Sequence, residues 1–137
     1  MKYYTQYKNI KKDTINAVRY AISEGLFKKE IEDKKLLISQ LHSKLSKIYN
    51  ISESKIQYIN NYIGVGSYNK DLDLITLNTP SLITYLHEFC HSLRVKTNKL
   101  NAEEIARGWS ISLYYLAAPK LCIKSIKEGK IIHQTEI

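Results

Sequence analysis

The 137-residue chain reads as one α+β domain, a small antiparallel sheet packed on a central helix with N-terminal and C-terminal helices around it. Three observations predict this. Apolar residues recur at spacings of three and four through the first third of the chain, through residues 80–96 and through residues 102–118. Between the first two of these regions, residues 55–77 are rich in Ile, Tyr and Leu and alternate in part, as strands do. Only 2 Pro and 5 Gly occur, and no repeat, linker or low-complexity tract divides the sequence. A chain of this size buries about two-thirds of its unfolded surface. A single domain over 1–137 is therefore expected, with a basic helical part at 1–60 and the sheet and two central helices at 61–119.

Taken in order, Ile15, Val18, Ile22 and Leu26 share one face of a first helix, with Asp13 as its candidate cap. Leu37, Leu41, Leu45 and Ile48 form the stripe of a second, ending near Asn50. Lys55 to Ile63 reads as a strand, Gly64 and Gly66 bound a turn or bulge, and Leu72 to Leu77 reads as the next strand. Thr79 then serves as N-cap with Pro80 at the first helical position. Leu82, Leu86, Phe89 and Leu93 supply that helix's core stripe, and nothing breaks it before about Lys96. After a short polar connection, Asn101 is the expected cap of a helix carrying Ile105, Trp109, Leu113 and Leu116, which stops before Pro119. Trp109 is read as core. Residues 120–137 are expected to form a short helix ending at Gly129, then a strand or tail.

The third helix carries His87-Glu88-Phe89-Cys90-His91, an H-E-x-x-H pattern. Side chains four apart lie one above the other on a helix, so two imidazoles can reach one metal ion. Glu88 sits beside that face, where a carboxylate can take a proton from a metal-activated water. With 4 His and 9 Glu, chance would produce the pattern in roughly one such chain in a hundred. Context therefore has to decide, and it does so twice. The motif lies within an amphipathic helix, and acidic residues follow it. Asn101 and Glu104 fit a capping box, which leaves Glu103 without a local partner. Eleven residues separate His91 from Glu103, and the short connection makes the two helices antiparallel neighbours. His87, His91 and Glu103 are thus the candidate ligands of a zinc ion with an open position for water.

These residues resemble the gluzincin branch of zincin metallopeptidases. The run Glu103-x-x-Ala106, then Trp109, Leu113 and Pro119, is similar to the E-x-x-A-N-x-F-A-x-x-L-L-x-P pattern of ImmA/IrrE-type peptidases, over roughly residues 60–119. The resemblance implies a zincin-like fold, a Zn2+ cofactor, His87, His91 and Glu103 as ligands, Glu88 as catalytic base and a peptide or protein substrate. It also implies that the strand before the motif helix lines a cleft, where an extended peptide can pair with its edge; taken alone, that strand reads equally as purely structural. Arg107 departs from the pattern, which has Asn or Asp there, a position that often orients a ligand histidine. Arginine cannot accept a hydrogen bond. The alternative function is therefore a catalytically degenerate zincin scaffold that binds protein or nucleic acid.

An oxyanion donor is still needed for hydrolysis. Tyr114, Tyr115, Tyr68 and His133 are the candidates, unranked among themselves and drawn from 11 tyrosines. The net charge is +8, and the first 60 residues hold most of it. Such a basic half can attract nucleic acid or another anionic partner, or can simply be a solvated surface. Cys90 and Cys122 are too few for a disulfide framework, and Cys90 is read as core. The start of the chain lacks a signal-peptide core and no apolar stretch is long enough to span a membrane, so a cytoplasmic location is expected.

Overall fold

Helix α1 (Lys12–Ser23) packs on α2 (Ile31–Ile48) and on α4 (Glu103–Ala117) in the computed structural model, which describes residues 10–60 and 64–130. Between α2 and α3 (Leu82–Lys96) lie three four-residue strands, β1 (Lys55–Tyr58), β2 (Gly66–Asn69) and β3 (Leu74–Leu77). Helix α5 (Pro119–Lys127) follows α4, with Pro119 at a position where its missing N–H costs nothing. Among the described residues no helix is long and apolar enough to cross a membrane.

The sheet is mixed, not antiparallel as the sequence suggested. Its order is β1-β3-β2, with β1 parallel and β2 antiparallel to β3. The strand read at Leu72 to Leu77 is therefore the central one and has no free edge. Gly66, read as one bound of a turn or bulge, instead opens the outer strand β2 beside α3, where no strand was expected from the sequence. A β2–β3 hairpin accounts for this. Asn69 Oδ1 accepts from the Asp71 and Leu72 amides at 2.9 and 3.1 Å, an Asx-type turn, and Asp73 takes the left-handed conformation at φ 50°. The first strand is also shorter than predicted, and the end of that predicted run, residues 61–63, lies outside the described residues.

Helix ends explain the chain's reversals. Helix α3 is capped by Ser81, whose Oγ accepts from the Thr84 amide at 3.4 Å, and not by Thr79. The Ser81 amide instead donates to Thr79 O at 2.8 Å, so Pro80 centres a tight three-residue turn that suits its fixed φ. At the other end Asn98 is left-handed at φ 55°, and the Asn98 and Lys99 amides return to Val95 O and Arg94 O. This Schellman closure turns the chain back toward α3. Asn50 closes α2 the same way at φ 54°, as the sequence indicated. Gly25 closes α1 at φ 95°, which places Leu26 just beyond the helix, where it is buried, and not on the helical stripe. Asp13 lies in the first turn of α1 and makes no cap bond.

One core joins these elements. Val18, Leu41, Leu45, Ile75, Leu77, Leu86, Phe89, Ile111 and Leu113 are fully or almost fully buried in it. Trp109 is in this core, stacked on Phe89 with ring centroids 6.2 Å apart, as its place on the α4 stripe predicted. That contact joins α3 to α4, and truncating Phe89 to Ala would cost about 3–5 kcal/mol. Cys90 and Cys122 are free and buried, and burial pushes both thiols up to about 12. Cys90 is thus an inert core group, not a ligand.

Candidate metal centre

Helix α3 presents His87 and His91 on one face, with ring centroids 4.9 Å apart and their Nε2 atoms 3.2 Å apart. The first residue of α4, Glu103, meets both: its carboxylate oxygens lie 3.0 Å from His87 Nε2 and 2.8 Å from His91 Nε2. Burial alone would raise the Glu103 carboxyl, but the two histidines' charge and hydrogen bonds hold it below the usual carboxylate range. His87 is pushed down chiefly by burial, against the pull of Glu103, with His91 and Arg107 adding to the push. Glu104 is exposed and makes no capping box, because the N-cap is Ala102, which supplies no side-chain bond.

Asn101 is released for a different task. Its Oδ1 lies 2.7 Å from His91 Nδ1, which donates to it. That fixes the neutral His91 ring with its proton on Nδ1 and its lone pair on Nε2. In that form the lone pair faces a Glu103 carboxylate oxygen and His87 Nε2. With His87 likewise protonated on Nδ1, three acceptors would converge on one point, an arrangement that a cation satisfies. The size of the gap agrees. Zinc held tetrahedrally at about 2.0–2.1 Å from each donor places the donors about 3.3 Å apart. The three ligand atoms here lie within 4.8 Å of one another, with closest separations of 2.8, 3.0 and 3.2 Å. The three side chains could therefore hold a metal ion of zinc's size, which would leave a fourth tetrahedral position open.

Glu88 is buried at 5% exposure beneath β2. Burial pushes its carboxyl up to about 7, with His91 pulling down and Glu103 pushing up. The close approach of β2 to α3 depends on Gly66. A Cβ there would lie 2.8 Å from Thr84 Cγ2, 3.1 Å from Thr76 O and 3.3 Å from Glu88 Cγ. The centre opens into a cleft of about 800 Å³ between β2, α3 and α4, bordered by Tyr68, Ile83, Glu88 and Arg107.

The hairpin that forms one wall is anchored by a polar cluster that sequence reasoning missed. Lys96 Nζ donates to Ser52 O at 2.6 Å and forms an ion pair with Asp73 at 2.9 Å. Asp73 Oδ1 also accepts from Tyr68 Oη at 2.8 Å and Ser54 Oγ at 2.7 Å, and Ser54 meets the buried Ser92 of α3 at 2.8 Å. Burial works against charge on Asp73, but these donors hold its carboxyl below the usual range. Tyr68 is therefore the predicted oxyanion donor that borders the cleft, and its hydroxyl proton is already given to Asp73. Tyr114 is buried, with its hydroxyl 3.1 Å from Ser125, and neither it nor Tyr115 lines the cleft. His133 lies outside the described residues, as does the predicted strand or tail after Gly129 from residue 131 onwards.

Comparison with protein-family models finds no match, and comparisons with curated proteins and with solved structures find no significant match. The site's own chemistry therefore carries the functional argument.

Proposed function

We propose that the chain is a zinc-dependent peptidase with a zincin-like, gluzincin-type centre. The observation that carries this is the meeting of Glu103 with His87 and His91 at 3.0 and 2.8 Å, beside the buried carboxylate of Glu88. When bound, zinc supplies a Lewis acid that acidifies water and polarises a peptide carbonyl. His87, His91 and Glu103 hold it. Asn101 keeps the His91 ring turned so that Nε2 faces the centre. Glu88 accepts the proton of the attacking water at its carboxylate and returns it to the departing amine. A nearby divalent charge favours the ionised form of Glu88, the form a base needs.

Strand β2 supports a peptide as the substrate. It is an outer strand and borders the cleft, the position from which an extended segment can add to a sheet. Arg107 favoured a degenerate scaffold while the orienting contact was missing. Asn101 meets His91 without help from position 107, which supports a working centre. The deciding experiment compares zinc-loaded wild type with Glu88→Gln on a mixed peptide substrate. Hydrolysis should vanish in the variant while about one zinc per chain is kept. Undiminished hydrolysis in Glu88→Gln would reject the proposal.

A further inference from the structure

We infer that the cleft takes acidic polypeptide segments; this rests on the peptidase reading for the purpose of the cleft, though its charge argument stands apart from any chemistry. Lys70 on the β2–β3 hairpin, Arg107 one turn along α4 from Glu103, and Lys130 after α5 all line it. Its only carboxylates among the described residues are Glu88 and Glu103, both already assigned to the metal centre. Neither Lys70 nor Arg107 forms an ion pair among the described residues, whereas Lys130 pairs with Glu128 at 3.1 Å. Lone cations on a convex surface are ordinary. Cations on the walls of a concave cleft focus the potential inward, and a bound divalent ion adds to the same sign.

A basic segment would meet like charge along this path, while an acidic one gains at each wall. Arg107 is half-buried, and its planar fork matches a carboxylate in two contacts. Among the cations the lining includes apolar side chains, Val65 just before β2 and Ile83 and Val95 on α3. Mixed apolar and cationic walls suit acidic residues next to aliphatic ones. Nucleic acid fits less well, because single strands bind on aromatic platforms. Among the described residues, the aromatic ring lining this cleft apart from the metal-site histidines is Tyr68, which Asp73 holds.

The test uses two fluorescein-labelled peptides with the same aliphatic centre, one flanked by Asp and Glu, the other by Lys. Binding to zinc-loaded Glu88→Gln is read by anisotropy, and hydrolysis by zinc-loaded wild type is read in parallel. The acidic peptide should bind about tenfold more tightly at low salt, as two or three exposed ion pairs allow, and the advantage should shrink as salt rises. Arg107→Glu and Lys70→Glu should each remove most of that advantage. Lys28→Glu, an exposed change outside the cleft, should keep it. Equal binding of both peptides would overturn the inference. So would an equal loss in Lys28→Glu, which would mean that net charge alone is read. An oligodeoxynucleotide of the same charge that displaces the acidic peptide at lower concentration would overturn the polypeptide assignment. If wild type cleaves neither peptide, the peptidase reading falls, and the binding preference still decides this inference.

Discussion

His91 Nδ1 donates to the side-chain oxygen of Asn101 across 2.7 Å, and that bond determines which nitrogen of His91 faces Glu103. It joins the last turns of α3 to the residue just before the N-cap of α4. The Schellman closure at Asn98 and the bond from Arg94 Nε to Leu100 O set the path of the chain between them.

Asn101→Ala should therefore act on the metal and not on the helix. Zinc affinity should weaken about 10- to 100-fold, the usual cost of losing an outer-shell partner. Competition with a chromophoric chelator measures it. Zinc-free stability should change little, because Asn101 does not cap α4. Unaltered affinity would show that the His91 ring is held by something else.

Glu103→Ala and Glu104→Ala should separate cleanly. The first removes the carboxylate that touches both histidines, and the chain should lose stoichiometric zinc after dialysis. The second removes an exposed side chain, and zinc content should stay at wild-type level. Metal loss only in Glu104→Ala would reverse the ligand assignment.

Gly66→Ala should loosen β2 from α3. Its Cβ would press on Thr84 and on the Glu88 side chain, at 2.8 and 3.3 Å. Overpacking of this kind costs about 1–3 kcal/mol, which urea denaturation resolves. Hydrolysis should fall further than stability accounts for, since Glu88 must shift. Retention of full activity would mean that the flexible ends of Thr84 and Glu88 absorb the methyl.

His42 should make the fold sensitive to mild acid. It is buried on α2, where Nε2 donates to Ser54 O at 2.8 Å and Nδ1 accepts from Tyr85 Oη at 2.8 Å. Burial lowers its pKa below the ordinary 6.5, against the Ser54 bond and Glu53. The unfolded chain thus takes up a proton at a pH where the folded one does not. The His42 contribution should be full above about 6.5 and should decline as pH falls from there toward the depressed folded value, whereas Glu88, raised to about 7, acts in the opposite sense over the same range. Urea midpoints in the presence of a chelator between pH 8 and 5 would show this. His42→Gln should shift the balance relative to wild type toward greater stability at pH 5, leaving His87, which burial also lowers, and Glu88, which burial raises. Equal slopes in the two proteins would remove His42 from the account.

The helices and the meeting of His87, His91 and Glu103 were legible because helical spacing is local information. His87, His91 and their apolar stripe repeat with the turn of one helix, and the brevity of the next connection limits where Glu103 can go. Asn101 was misread because Asn before a helix suits a cap and an outer-shell acceptor equally. Only the approach of α3 tells them apart. The mixed sheet was hidden for a similar reason. Lys55–Tyr58 and Leu74–Leu77 pair in parallel across intervening chain, and nothing within either strand specifies a distant partner. Strand β2 was not legible because Gly66, at its start, reads as a breaker, whereas that glycine lets α3 come close. His42 did leave a signal, lying within the buried run Ile38, Leu41 and Leu45 of α2, where a polar side chain must find partners.

The central claim is that one zinc ion is held by His87, His91 and Glu103 together. Anomalous diffraction at the zinc edge from crystals of the zinc-loaded chain tests it most directly. The account predicts a single strong peak per chain, about 2.0–2.2 Å from His87 Nε2, His91 Nε2 and a Glu103 carboxylate oxygen. A zinc-loaded crystal with no peak among these three side chains, or with its peak on other residues, would contradict it.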